Sequence, residues 1–133
     1  MRAKQVLDSY AMIGFFEGEP FAGKIEEALK AASSGSVQLF MAQVNWGEVI
    51  YIIQREAGVA AAHEAVKALD SLPIEVVPTD RALVLKAAEF KATRKMSYAD
   101  CFAAALAHRE KSALLTGDKE FKQVENEIEV VWL

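Results

Sequence analysis

Short apolar runs alternate with longer stretches of helical periodicity along the whole chain. The apolar runs contain β-branched and aromatic residues and predict strands, whereas the stretches between them repeat apolar residues at helical spacing. The predicted strands are 5–8, 37–41, 74–77, 113–116 and 128–132, and the predicted helices are 9–16, 21–32, 45–56, 59–69, 79–95 and 97–110, with a short helical piece after Asp118. Strands that alternate with helices predict a parallel sheet covered by helices on both faces. In such sheets the ligand binds outside the carboxyl ends of the strands.

Composition narrows the class of protein. The 133 residues are 53% hydrophobic and 26% charged, which fits one globular domain over residues 1–133. A single cysteine, Cys101, excludes an internal disulfide and a multi-cysteine zinc site, and two histidines exclude an imidazole-rich metal site. No apolar run reaches the ~18 residues of a membrane span. The first apolar run ends at Asp8, too early for a signal peptide, so we expect a cytoplasmic protein with no membrane partner.

Charge is distributed unevenly along the chain. The net charge is −4, which argues against a nucleic-acid-binding protein whose surface is basic throughout. From Arg81 to Lys122, nine basic and five acidic residues give +4, while the remaining six basic and fourteen acidic residues give −8. A polyanion would therefore be attracted to the later half of the chain. The simpler interpretation is that these charges solvate helix faces.

Four acidic residues stand alone in uncharged surroundings. Asp8 and Asp118 lie at or just past the ends of the first and fourth predicted strands, and Glu48 and Asp100 lie in helices rich in apolar or small residues. If the first and fourth strands are neighbours, both aspartates face one crevice, and the two helices bring the other acids to it. An isolated carboxylate is costly to desolvate unless something pairs with it, which makes a shared site the preferred interpretation.

Each acid also has a structural alternative. The three aspartates suit helix caps or a turn, and Glu48 suits an ion pair with Arg55 or Arg109. Asp80, which follows the third strand, is a rival candidate that suits a plain helix start. Four isolated acids, two of them ending strands, favour a common site over four coincidences.

Clustered carboxylates repel one another and must bind protons or cations. The apolar surroundings offer few basic residues, and oxygen-only ligands select Mg²⁺ or Mn²⁺ over zinc. A metal held by carboxylates with open positions is the arrangement for phosphodiester hydrolysis by a metal-activated water.

The order of the acidic motifs resembles that of PIN domains, and the VapC-type toxins of toxin–antitoxin pairs in particular. The resemblance covers essentially the whole chain. The segments that carry it are Val6-Leu7-Asp8-Ser9-Tyr10, Asn45-Trp46-Gly47-Glu48-Val49, Met96-Ser97-Tyr98-Ala99-Asp100 and Leu115-Thr116-Gly117-Asp118-Lys119-Glu120-Phe121.

This resemblance implies a three-layer α/β/α sandwich with a five-stranded parallel sheet. It also implies a ribonuclease dependent on Mg²⁺ or Mn²⁺ that is often a homodimer and is silenced by a cognate antitoxin. Carried over by position, the metal-binding acids are Asp8, Glu48, Asp100 and Asp118, and Thr116 matches the hydroxyl of the motif. Glu120 stands where related sequences often carry Asp, which leaves the number of direct ligands open.

Several further residues have two interpretations. Lys91, Arg94 and Lys95 precede the Asp100 motif and either contact RNA phosphates or solvate a helix end. The first helix is more apolar than a short helix needs, so it either fills the core or forms a surface shared with a second copy or an antitoxin.

Two other functions remain open. A phosphoryl-receiver module also places acids at strand ends and binds Mg²⁺, but it needs an acid pair after the first strand and a lysine at the end of a late strand. Asp8 has no acidic neighbour, and the strand ending at Thr116 has no terminal lysine. A fold-alike that only binds a partner is the third interpretation, and the four intact acids argue against it.

Overall fold

A five-stranded, all-parallel sheet lies between two layers of helices. The computed structural model describes residues 2–133, and within them the chain forms five strands, six α-helices and one 3₁₀ helix. The elements are β1 (Ala3–Leu7), α1 (Ser9–Glu17), α2 (Ala22–Ser33), β2 (Val37–Ala42), α3 (Gln43–Ala57), α4 (Val59–Asp70), β3 (Ile74–Val77), α5 (Arg81–Thr93), α6 (Tyr98–Glu110), β4 (Ala113–Thr116), the 3₁₀ helix (Lys119–Val124) and β5 (Val130–Trp132). The predicted fold class is confirmed.

The strand order is β3-β2-β1-β4-β5, so β1 is the central strand. Its neighbours are β2 on one side and β4 on the other, with Leu7 aligned to Leu115. From β1 the chain adds β2 and β3 on one side of the sheet and then β4 and β5 on the other. The strand order therefore switches between the neighbours β1 and β4, and in open parallel sheets a ligand crevice forms at such a point. The residues that follow these two strands, Asp8 and Gly117, lie at that crevice.

Alternating side chains of the strands fill two separate cores. Val6, Phe40 and Leu114 pack on one face against α5, α6 and the 3₁₀ helix. Leu7 and Leu115 point to the other face, where α1 to α4 cover them. The three inner strands β1, β2 and β4 are therefore apolar on both faces, as expected of strands buried within a parallel sheet.

Local capping explains where the observed elements differ from the predicted ones. β1 ends at Leu7 because the side chain of Asp8 accepts a hydrogen bond from the amide of Ala11 and so begins α1. Helix α5 begins at Arg81 because Asp80 caps it through the amide of Leu83. Side-chain caps of this kind satisfy amide groups that the first helical turn leaves unpaired.

Helix α6 is the most deeply buried helix of the sandwich. All eight residues from Asp100 to Ala107 are buried, and four of them are alanine. These small side chains let the helix lie close to the sheet and to α5. Within residues 2–133, no helix combines the length and the apolar character that crossing a membrane requires.

Candidate metal centre

Asp8 is a buried carboxylate at the carboxyl end of the central strand. Its side chain is only 1% exposed. One oxygen accepts the amide of Ala11 at 2.9 Å, and the other accepts the hydroxyl of Thr116 at 2.5 Å. The end of β4 therefore holds Asp8 in place through a contact that joins residues 108 positions apart.

Thr116 also positions the acid that follows it. Its hydroxyl oxygen accepts the amide of Asp118 at 3.0 Å, and the Asp118 carboxylate in turn accepts the amide of Glu120 at 3.0 Å. Because Thr116 is completely buried, its hydroxyl has a fixed role as donor to Asp8 and acceptor from Asp118. The predicted hydroxyl residue thus lies between two of the predicted acids.

Three carboxylates converge beside this hydroxyl. Asp100, Asp118 and Glu120 each offer one oxygen, and the three oxygens lie within 4.8 Å of one another. Asp100 reaches the cluster from the first turn of α6, whose start is fixed by the Ser97 hydroxyl accepting the amide of Asp100 at 3.1 Å. Asp118 and Glu120 come from the turn after β4 and the start of the 3₁₀ helix.

Glu120 is the member of the cluster that the sequence left undecided. Its carboxylate accepts the amide of Ser97 at 2.9 Å, which turns the side chain toward α6 and Asp100. Glu120, although one methylene longer than aspartate, therefore places its carboxylate beside those of Asp100 and Asp118. The i,i+2 spacing from Asp118 was the available signal, but only the folded chain shows that the loop before α6 receives this side chain.

Glu48 lies in the same cleft but outside the cluster of three. It is half-buried on α3 and accepts a hydrogen bond from the hydroxyl of Ser9. The structural alternative, an ion pair of Glu48 with Arg55 or Arg109, is not what the structure shows. Arg55 lies over the ring of Tyr51, and Arg109 binds Asp80 at 2.9 Å.

Asn45 is a neighbour of the site that the sequence analysis did not select. It is fully buried in the first turn of α3, and its amide donates to the carbonyl of Ala99 at 3.0 Å. This contact ties α3 to the residue before Asp100. A polar side chain three positions before Glu48 in an apolar helix was the signal that could have identified it.

The cleft in front of these acids is open to solvent and has a volume of about 460 Å³. Glu48, Asp100, Asp118 and Glu120 all line it, and Asp8 lies buried next to them behind Thr116. The structure thus brings the four predicted acids to one end of the sheet.

Burial and mutual repulsion shift the protonation of two acids strongly. Burial raises the pKa of Asp8 to about 7, although the Thr116 and Ala11 hydrogen bonds oppose the shift and the charges of Asp118 and Glu48 add to it. Burial likewise raises the pKa of Asp100 to about 8, with a further rise from the neighbouring Asp118. Near neutral pH the ionised cluster is electrostatically unfavourable by itself, and a bound cation relieves this repulsion.

The donor set fits a hard divalent cation. Asp100, Asp118 and Glu120 provide only oxygen atoms, close enough to share one ion, and the cleft leaves space for water and phosphate oxygens. Mg²⁺ and Mn²⁺ prefer such ligands, and Mg²⁺ usually retains several waters.

The basic residues before α6 are less available than the sequence indicated. The Lys91 ammonium donates to the carbonyl of Met96 at 2.7 Å, and Arg94 forms an ion pair with Glu127. Lys95 is exposed, and only its backbone hydrogen bonds to Gln123. Of the three, Lys95 is therefore the one best placed to contact a phosphate.

Comparison with solved structures finds the same fold in toxin–antitoxin proteins. A chain of VapBC2 from Rickettsia felis, bound to a DNA fragment from its promoter, has a TM-score of 0.77 with 14% identity over 98% of both chains. A chain of a toxin–antitoxin complex from Klebsiella pneumoniae has a TM-score of 0.72 with 18% identity, over 96% of this chain and 95% of that one. VapC20 of Mycobacterium tuberculosis, described as a sarcin–ricin loop cleaving toxin, has a TM-score of 0.71 with 18% identity, over 90% and 94%.

No curated protein matches the sequence. The family model described as the PIN domain matches residues 6–127. This range contains the end of β1, all of β2, β3 and β4, and all the acids of the cleft. With this match over most of its length and a sheet of the expected topology, the chain belongs to the PIN domain family.

Proposed function

We propose that this protein is a metal-dependent endoribonuclease and the toxin of a toxin–antitoxin pair. The observation that carries the proposal is the convergence of Asp100, Asp118 and Glu120, with oxygens within 4.8 Å of one another, in an open cleft beside the buried Asp8. Asp8, Glu48, Asp100, Asp118 and Thr116 are the proposed site residues, and Glu120 joins them.

The carboxylates have distinct parts in this proposal. Asp100, Asp118 and Glu120 hold Mg²⁺ or Mn²⁺, and Asp8 adds negative charge behind them, held by Thr116. When bound, the cation lowers the pKa of a water and offsets charge on the leaving oxygen of the phosphodiester. Glu48, which lines the cleft from α3 and is not one of the cluster of three, would orient that water.

RNA is the proposed substrate and a small antitoxin the proposed partner. Two of the structural neighbours support this, because one is described as cleaving the sarcin–ricin loop and another as a toxin–antitoxin complex. We also propose that the protein acts in the cytoplasm as a homodimer. The test of the partner is to look for a small reading frame that adjoins the gene. Expression of the wild type alone is expected to arrest growth, co-expression of that reading frame to restore it, and Asp100→Asn to cause no arrest.

An RNA cleavage assay tests the activity directly. The wild type is expected to cut RNA in Mn²⁺ and to stop when a chelator is added. Asp100→Asn and Asp8→Ala are expected to lower the rate by ~10–100-fold or more, because groups that hold or orient a metal have effects of this size. Asp80→Asn is the matched control, since Asp80 caps α5 away from the cleft and asparagine caps equally well.

Equal cleavage by wild type, Asp100→Asn and chelated samples would exclude the proposal. A phosphoryl-receiver function would instead show as uptake of phosphate from acetyl phosphate. The strand order argues against that alternative, because receiver-like folds of the flavodoxin type have the order 2-1-3-4-5 and this sheet has β3-β2-β1-β4-β5.

A further inference from the structure

An exposed aromatic ring stands at the mouth of the acidic cleft. Tyr10 is the second residue of α1 and lines the cleft together with Asp100 and Asp118. It remains 43% exposed, although Ser9 before it and Ala11 after it are buried. Neither the carboxylate cluster nor its hydrogen bonds involve this side chain.

Two contacts hold the ring in place. It stacks on Phe21, with 5.5 Å between ring centroids and an angle of 20° between the planes. It also lies against the backbone of Gly117, where a β-carbon would be 2.4 Å from Cε1 of the tyrosine. Only a glycine between Thr116 and Asp118 therefore leaves room for the ring in this position.

Phe21 is itself fixed in the same way. A β-carbon on Gly14 would lie 2.0 Å from Cζ of the Phe21 ring, so that ring rests directly on the backbone of α1. The two rings form one aromatic stack, and each ring also contacts the backbone of a glycine. The Gly117 contact is with Cε1, Cζ and Oη at the hydroxyl end of Tyr10, which leaves the rest of the ring to account for its 43% exposure. Such a stack presents Tyr10 in one orientation, and a ligand that binds to it does not have to immobilise the side chain.

We propose that Tyr10 is the stacking platform for an unpaired nucleobase next to the phosphate that is cut. The inference rests on the proposed function and deepens it by naming a residue that positions the substrate in the same site. Gly117 adjoins Asp118, so the ring lies close to the carboxylates where the phosphate would bind. Aromatic side chains beside a phosphate site are a common way to hold single-stranded nucleic acid, because each base offers a flat face.

The acidic cleft strengthens the need for such a platform. Carboxylates repel the RNA backbone, and two of the three nearby basic residues are engaged by Met96 and Glu127. Stacking supplies binding energy that does not depend on charge. A base within a duplex is already stacked on its neighbours, so this platform favours loops and unpaired segments over paired RNA.

The test combines variants of Tyr10 with RNA that lacks single bases. Short single-stranded RNAs carry one abasic nucleotide at each position around the cut in turn, and kcat/KM is measured for each. We expect the wild type to lose about 10-fold at one position next to the cut, a size typical of base–aromatic stacking. On intact RNA, Tyr10→Ala is expected to have a kcat/KM about 10-fold below that of the wild type. Removing the base at the sensitive position is expected to lower the kcat/KM of Tyr10→Ala no further, whereas Tyr10→Phe is expected to behave like the wild type on both RNAs.

Two further measurements separate stacking from structural damage. Tyr10→Leu keeps an apolar side chain against Phe21, so its Tm is expected to lie within a few °C of that of the wild type. Its kcat/KM on intact RNA is nevertheless expected to fall about as far as that of Tyr10→Ala. RNA with 2-aminopurine at the sensitive position is expected to show quenched fluorescence on binding to wild type but not to Tyr10→Leu. Tyr51→Ala is the control, because Tyr51 is similarly exposed, at 48%, but lies on α3 outside the cleft.

Three results would overturn the inference. They are cleavage by Tyr10→Ala and Tyr10→Leu at the wild-type rate, no position-dependent loss of wild-type activity on abasic RNA, and persistence of that loss in the variants. A change only in oligomeric state or antitoxin binding would assign Tyr10 to a protein interface instead. Failure of the wild type to cut any RNA would count against the proposed function itself, whereas cutting that ignores Tyr10 counts against this inference alone.

Discussion

At the scale of the residue, Thr116 shows how one hydroxyl organises an acidic site. The group donates to Asp8 and accepts from the amide of Asp118, so it holds two acids that follow different strands. A β-branched residue suits the end of a buried strand, but valine would meet that need equally well. The hydroxyl is therefore explained by its two hydrogen bonds and not by the strand.

We expect Thr116→Val to damage both stability and the site. The buried Asp8 loses its donor and the amide of Asp118 its acceptor, so the free energy of unfolding is expected to fall by ~1–3 kcal/mol. RNA cleavage is expected to fall about 10-fold or more as Asp118 loses its fixed position. Thr116→Ser keeps the hydroxyl. It is expected to retain most of the wild-type free energy of unfolding, measured in urea, and most of the wild-type rate of RNA cleavage. A serine variant as impaired as valine would contradict this account.

At the scale of the element, two helices carry an aspartate near their start and use it differently. Asp80 caps α5 through the amide of Leu83 and binds Arg109 at the protein surface. Asp100 stands three residues inside the start of α6, where the Ser97 hydroxyl already provides the cap. The Asp100 carboxylate is thus free of capping and lies in the cleft.

Removing the cap of α5 is expected to affect stability without affecting the reaction. Asp80→Ala is predicted to lower Tm by a few °C at pH 7 and to leave RNA cleavage unchanged. The Leu83 amide, followed by Arg109, lowers the pKa of Asp80 from its ordinary value of 3.8, so this contribution is present above pH 3.8 and is lost as pH falls further. The difference in Tm between wild type and variant should therefore shrink in strong acid. A loss of cleavage at unchanged Tm would place Asp80 in the site.

At the scale of the whole molecule, the two shifted acids couple stability to pH and to metal. The pKa values of Asp8 and Asp100 rise from 3.8 to about 7 and about 8 on folding. The folded protein then binds more protons than the unfolded chain between these values. The stability that depends on these protons is complete below pH 3.8 and is lost as pH rises through 7 and 8.

We expect the metal-free protein to melt at a lower temperature at pH 8 than at pH 5.5. Mn²⁺ is expected to raise Tm by several °C at pH 8 and much less at pH 5.5, because protons compete with the ion for the same oxygens. Asp100→Asn removes one of these carboxylates and should flatten the dependence on both pH and Mn²⁺ in thermal unfolding. A Tm of the wild type that Mn²⁺ leaves unchanged at pH 8 would argue against the cluster as a metal site.

The sequence by itself determined the order of the elements and the acids to consider. Apolar periodicity is local, so each strand and helix could be predicted, and Asp8 and Asp118 could be placed at strand ends. Capping shifted boundaries by a few residues, as at Asp80, because a cap depends on one hydrogen bond that periodicity does not reveal. The functional roles of the acids remain a prediction.

Only the tertiary structure decided which side chains meet. In the folded chain the Glu120 carboxylate lies beside that of Asp100, and the Glu48 carboxylate accepts a hydrogen bond from the hydroxyl of Ser9. The Lys91 ammonium donates to a backbone carbonyl. The fold also places Tyr10 on Gly117, more than a hundred residues along the chain. These contacts depend on strand order, on the approach of helices and on side-chain rotamers. Local sequence patterns specify none of these, because the partners are brought together only by the packing of the whole sheet.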